Sequence, residues 1–272
     1  MPYSLREVSD AIEALWPIAG AEGWDASGLI AGHPDDSIST VLLAVDAVSD
    51  TATEALDTNS DLLLVHHPLL MRGVTTVAAD RYKGSILTRL IRGHCALLSA
   101  HTNADVVADG TSGVLAQLLG LTDVTPISPN ADGETGIGRV GRLPEPLTLG
   151  HLAHSLAKIL PATATGIRVS GDYETTVSTV AVCGGAGDSL LAADAVTRAD
   201  VYVTSDLRHH PASEAREQAR LGSGPALIDV SHWASEWLWL DVAAAQLRER
   251  LPELTVRVSD IRTDPWDFVV TQ

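Results

Sequence analysis

Lysine is nearly missing from this 272-residue chain. Lys83 and Lys158 are the two it has, and arginine supplies the other positive charges against a net charge of −17. A surface so poor in cations cannot neutralise a polyphosphate backbone, which argues against nonspecific nucleic-acid binding. A local cluster such as Arg72, Arg81, Lys83 or Arg208 can still meet the phosphates of a single nucleotide. Cysteine is also scarce. Cys95 and Cys183 lie in separate apolar stretches and neither belongs to a CxxC, so no disulfide framework is expected, only two structural thiols in a reduced, cytoplasmic setting. No apolar run reaches the roughly 18 residues of a membrane span. The opening MPYSLREVSDAIEAL reads as an amphipathic helix and lacks the basic and apolar regions of a signal peptide. Several catalytic signatures are missing too: HExxH, HxHxDH, GxxxxGK[ST] and GxSxG.

What is present is a pattern of histidines and carboxylates that recurs. DLLLVHHP (61–68) is an apolar strand ending in His66 and His67, and AHTNAD (100–105) places His101 four residues before Asp105. In the second half DVYVTSD (200–206) runs on to His209 and His210, and ALIDVSH (226–232) places His232 four residues before Glu236. An offset of 139 relates Thr40 and Asp61 to Thr179 and Asp200, and one of 131 relates His101 and Asp105 to His232 and Glu236. Metal-binding residue types at strand ends in both halves of a duplicated chain are the ligand supply of a two-metal site facing an internal pseudo-dyad.

Hydrophobic content of 45% over this length supports one large domain or two lobes. Apolar runs at 39–47, 61–66 and 96–101 read as buried strands, and 5–19, 49–58, 83–94 and 110–121 as helices. The second half repeats this, with helices near 148–160, 187–197, 211–221 and 233–249 and strands near 166–170, 178–183, 200–204 and 225–230. The alternation predicts an α/β class of largely parallel strands, built as two similar lobes with a dinuclear metal site between them. The Pro-, Gly- and Asp-rich stretch 122–136 is the candidate linker, giving a first lobe 1–126, a linker 127–136 and a second lobe 137–272, with intertwining allowed. GGAGDS (184–189) has the form of an anion cradle, although a short glycine turn is more often only tight geometry.

Pro68 stops the strand that carries His66 and His67, so both rings can bend toward one cleft as metal ligands. The alternative is a pair that merely ends a strand. Asp105 can be a helix cap, but its recurrence as Glu236 favours a carboxylate ligand, and His232 and Glu236 share one helix face. His101 can be a ligand, a support for one, or a proton carrier. His209 and His210 open a helix, where histidines are often only solvated; beside an activated water His210 would be a general acid or base. Trp24-Asp25 can orient ligands or substrate, against a plain core role for the indole.

On WDASGLIAG (24–32), LLAVDA (42–47), LLLVHHPL (62–69), AHTNAD, GTSGVLAQLLGL (110–121), GRVGRL (138–143), VAVCGGAG (180–187), YVTSDLRHHPA (202–212), DVSHWASEW (229–237) and TDPW (263–266), the chain resembles the NIF-three-like dinuclear metal-centre family, also called GTP cyclohydrolase 1 type 2-like proteins. The resemblance implies metal ligands at His66, His67, Asp105, His232 and Glu236 and two divalent ions (Zn, Fe, Mn or Co). His101 and His210 remain the candidates for moving protons. It further implies a compact member without an inserted middle domain and a ring-shaped homohexamer. Ser205, Ala26 and Trp266 stand where the family often has Gly, Asn and Phe, and none of these is a ligand position. The activity implied is hydroxide attack on a purine nucleotide such as GTP, opening the imidazole ring with release of formate. The competing class is a non-catalytic metal-binding regulatory or adaptor protein acting through an oligomeric surface.

Overall fold

A computed structural model describes residues 2–271 of the chain. It divides into two compact units. The first comprises Met1–Ala104 with Leu240–Thr263, the second Asp105–Trp239 with Asp264–Gln272. The break therefore falls at Asp105 and not near 126, and the polypeptide returns to the first unit after Trp239. The reason is strand completion: Thr255–Val258 pairs in parallel with Thr40–Asp46 at the edge of the first sheet. The stretch expected as a linker contains a strand, Thr122–Thr125, which pairs with Arg139–Thr148 in the second sheet.

In the first unit five strands lie in the order Thr255–Val258, Thr40–Asp46, Leu62–His67, Ala96–Ser99, Gly28–Ala31. The first four run parallel and the last is antiparallel. Leu42, Ala44, Leu63, Val65 and Leu97 pack on one face with Ala52 and Ala55 of the helix Ser49–Asp57 and Ile86, Leu87 and Leu90 of the helix Tyr82–Arg92. The opposite face buries Val41, Leu43, Leu62, Leu64 and Leu98, so both faces are covered, as expected for a parallel sheet with near-continuous apolar strands. The helix Leu5–Leu15 stops short of the expected 5–19 because Pro17 follows, and Ser4 and Glu7 close its start as a reciprocal capping box.

The second unit holds a six-stranded sheet in the order Arg168–Ser170, Ala226–Val230, Val201–Ser205, Thr176–Ala186, Arg139–Thr148, Thr122–Thr125. Its three central strands are parallel and the outer ones antiparallel. Val180, Val182, Val201, Val203, Ile228 and Val230 face one core; Ala181, Cys183, Tyr202 and Leu227 face another. This is the two-residue period of a strand buried on both sides. Arg139–Thr148 is a strand that the hydrophobic pattern does not announce, and Pro144 and Pro146 lie within it. Both fall where its pairing with Thr176–Ala186 shifts register, between Arg142 and Leu147, where the missing amide hydrogens cost no ladder bond. The helix expected over 187–197 is instead a single turn at Asp188–Leu190 and a short helix at Asp194–Thr197.

The internal repeat is legible in hydrogen bonds. Asp61 accepts from the amides of Ser39 and Thr40 at 2.8 and 2.9 Å, and Asp200 accepts from those of Ser178 and Thr179 at 2.8 Å each. Asp61 thus pins the start of Thr40–Asp46, and Asp200 pins Thr176–Ala186 just before its parallel pairing with Val201–Ser205 begins at Val180. Asp61→Ala and Asp200→Ala are each expected to lower stability by roughly 0.5–1.5 kcal/mol, the net worth of hydrogen bonds whose amides water can reach, read by urea denaturation. An unchanged midpoint in both would show that water replaces these carboxylates without loss.

Candidate metal centre

In each unit the chemistry-bearing side chains collect at the carboxyl ends of parallel strands, the end at which open α/β sheets place their sites. His66 and His67 finish Leu62–His67, Asp46 finishes the neighbouring strand, and His101 follows Ala96–Ser99 by two residues. His66 is completely buried. The rings of His66, His67 and His101 lie 5.0 to 5.5 Å apart, and each offers one nitrogen within 4.8 Å of the others. Three imidazoles at that separation form a group able to hold a metal ion.

Their orientation is set from behind. His66 Nδ1 donates to the carbonyl oxygen of Ala100 at 2.8 Å, and because a carbonyl only accepts, this nitrogen carries the hydrogen and Nε2 keeps the lone pair. His67 Nδ1 lies 2.8 Å from Asp46 Oδ1, and Asp46 also accepts from the Thr263 hydroxyl. His101 Nδ1 lies 2.8 Å from Asp25 Oδ1, while the other oxygen of Asp25 takes the Thr102 amide at 3.0 Å and the Ser27 hydroxyl at 2.9 Å. Burial works against the ionised form of Asp25, but the bonds from His101 and Thr102 outweigh it and hold this carboxyl well below the usual range. A ring nitrogen donated to an oxygen acceptor, with the opposite nitrogen presented to a common centre, is the arrangement of metal-ligating histidine.

The second unit shows the same device. His232 opens the helix His232–Arg250, two residues after Ala226–Val230, and its Nδ1 lies 2.7 Å from Asp206 Oδ2. Its Nε2 faces Glu236 Oε1, one helical turn on, at 3.1 Å. Burial alone would lower the His232 pKa. The charge of Glu236, with hydrogen bonds to Asp206 and Glu236, lifts it to about 11. Glu236 is nearly inaccessible to solvent, and a Cβ built on Gly185 would come within 2.3 Å of Glu236 Oε1 and 3.3 Å of His232 Nε2. The glycine run at 184–187 thus makes room for this pair; nothing in its geometry requires a phosphate. Asp105 accepts from the Thr111 hydroxyl at 2.5 Å. Burial, Asp105 and Glu236 together push the thiol of Cys183 up to about 12, so it stays a protonated structural thiol.

The two HHP motifs are not structural counterparts. His66 and His67 end a strand, whereas His209 and His210 begin the helix His209–Arg220, both exposed, with their rings 5.2 Å from one another. At the repeat's offset of 139 the residues matching His66 and His67 are Ser205 and Asp206. Sequence reading passed over Asp46 and Asp206 as supports. The available signal was an apolar strand ending in Asp in each case. Trp24, for which a core role was the competing reading, is 60% exposed.

A family model described as Duf34/NIF3 (NGG1p interacting factor 3) matches residues 3–265. The chain belongs to the Duf34/NIF3 family. It is 49% identical to a GTP cyclohydrolase 1 type 2 homolog of Streptomyces coelicolor, over 96% of this chain and 93% of that one. It is 34% identical to the protein of the same name from Mycobacterium tuberculosis, covering 98% of both chains across an alignment of 377 positions. That alignment is far longer than this chain, which is therefore a compact Duf34/NIF3 member. Among solved structures, a Bacillus cereus protein related to NIF3 superposes with a TM-score of 0.90 at 22% identity, covering 99% of this chain and 100% of the other, which shows the shared fold. Among the described residues no helix is long and apolar enough to cross a membrane.

Proposed function

We propose that this protein is a metal-dependent hydrolase that holds two divalent ions on His66, His67, Asp105, His232 and Glu236 and acts on a purine nucleotide such as GTP. The observation that carries the reading is the repeated orientation of the proposed imidazole ligands: His66, His67 and His232 each direct Nδ1 to a fixed oxygen acceptor. Nitrogen and carboxylate donors of this kind suit Zn, Fe, Mn or Co. When bound, such ions lower the pKa of water so that hydroxide is available at neutral pH. The chain's own contribution is positional. Asp46 and Asp206 hold the rings of His67 and His232, Thr111 engages one oxygen of Asp105, and Gly185 leaves space for Glu236. His101 is the proton carrier in this scheme, taking and returning a proton at Nε2 while Asp25 keeps hydrogen on Nδ1. It is preferred over His210 because a buried carboxylate fixes its ring.

The substrate class comes from the relatives named GTP cyclohydrolase 1 type 2 homolog. In this reading the chain works in the cytoplasm as a homohexamer, as the family resemblance implies. Protein purified without added metal is to be analysed for its elemental content, then incubated with GTP and assayed for formate. Formate release above that of Glu236→Ala supports the proposal. Wild-type protein indistinguishable from that variant rejects the GTP reading.

A further inference from the structure

The turn that holds Asp25 also carries Trp24, and the fold treats the two neighbours in opposite ways. Asp25 is locked by Ala26, Ser27, His101 and Thr102. The backbone before it is tied down as well: the Asp25 amide donates to the Glu22 carbonyl at 2.9 Å, and the Glu22 amide to the Thr102 hydroxyl at 2.9 Å. On this rigid turn the Trp24 indole stays 60% exposed and so forgoes most of the hydrophobic gain its size would bring on burial. Exposure alone would not single it out, since Tyr82 and Phe268 are exposed further. Its position does. The indole lies 5.9 Å from the ring of His101, at 76° to it, and His101 belongs to the three-imidazole group. A large, flat, solvent-facing π surface is thus held by a preorganised loop at the edge of the metal-binding residues.

We propose that Trp24 is a stacking platform for the planar heteroaromatic ring of the substrate, a purine or a comparable fused ring, bound beside His101. The inference rests on the hydrolase reading for the location of the substrate and adds how its ring is recognised. Stacking on an aromatic side chain discriminates planar rings from sugars and phosphates but is tolerant of base identity. Trp24 therefore selects for the presence of a base and leaves the choice between guanine and adenine to other contacts.

The test uses metal-loaded full-length protein and three probes that share a sugar phosphate, namely GMP, AMP and ribose 5-phosphate, with affinities measured by calorimetry. Wild-type protein is expected to bind both nucleotides at least about tenfold more tightly than ribose 5-phosphate. Trp24→Ala should lose roughly ten- to hundredfold on the nucleotides, in keeping with the usual worth of a base stack, and nothing on ribose 5-phosphate. Trp24→Phe should recover most of the loss, which a merely structural role would not predict. Unchanged nucleotide affinity in Trp24→Ala overturns the inference, as does a wild-type protein that binds ribose 5-phosphate as well as GMP. A change in sedimentation mass with unchanged binding overturns it in favour of a subunit contact. Trp24-dependent nucleotide binding without formate release from GTP sinks the hydrolase and leaves the platform. Formate release with Trp24-independent binding does the reverse.

Discussion

Replacing Glu236 by Ala is expected to lower the content of tightly bound metal and to reduce turnover by about a thousandfold or more, equivalent to ~4 kcal/mol on the barrier. Glu236 is almost fully buried, and a carboxylate in that position needs a cation close by. The His232 imidazole lies 3.1 Å from this carboxylate, on the side where a cation would sit. Truncation to Ala removes a negatively charged oxygen donor beside His232, whose Nδ1 keeps its contact with Asp206. Glu236→Gln separates charge from shape. It keeps the volume and should lose nearly as much metal as the Ala variant if charge is what matters. Elemental analysis and formate release must be read on the same samples, with thermal melting to show that the variants are folded. His101→Ala is the contrast. As the proton carrier it should cost roughly 10²–10⁴-fold in turnover while metal content holds. Wild-type metal content and turnover in Glu236→Ala would remove Glu236 from the site.

Gly185→Ala is expected to produce the second large effect, through one methyl group. Gly185 has φ of +71°, a left-handed conformation that costs a residue bearing a Cβ roughly 1–2 kcal/mol. Its new Cβ would also sit 2.3 Å from Glu236 Oε1, so the carboxylate must move. Gly166→Ala is the control. At φ of +61° with nothing within 4 Å of the added atom, it carries the backbone cost alone. Both variants should therefore lose comparable stability from strain in urea denaturation, whereas only Gly185→Ala should lose metal, by ten- to hundredfold in affinity as for other changes that misplace a ligand. Equal metal affinity in the two would mean that Glu236 can be displaced without consequence, contrary to the proposed ligand set.

Much of the candidate site is legible in the sequence, because it consists of residue types at local positions. LLLVHHP, AHTNAD and DVSHWASE each place histidine or carboxylate just past an apolar strand, and both features are properties of a few consecutive residues. The strand-helix alternation and the matching aspartates at 61 and 200 were readable for the same reason.

What the amino-acid order determined by itself is most of the buried parallel strands and their intervening helices, the duplication, and which histidines and carboxylates stand at strand ends. Only the tertiary structure decided which atoms meet. Asp46 reaches His67 from 21 residues away, Asp25 reaches His101 from 76, and Asp206 reaches His232 from 26. Those contacts depend on which strands become neighbours, which periodicity does not encode. The same holds for Thr255–Val258, which joins the first sheet after Asp105–Trp239 of the second unit has intervened, and for Gly185, where a run suited to an anion clears space for a carboxylate. Hydrophobic spacing reports which face of an element is buried. The partner across that face is chosen by packing of the whole chain.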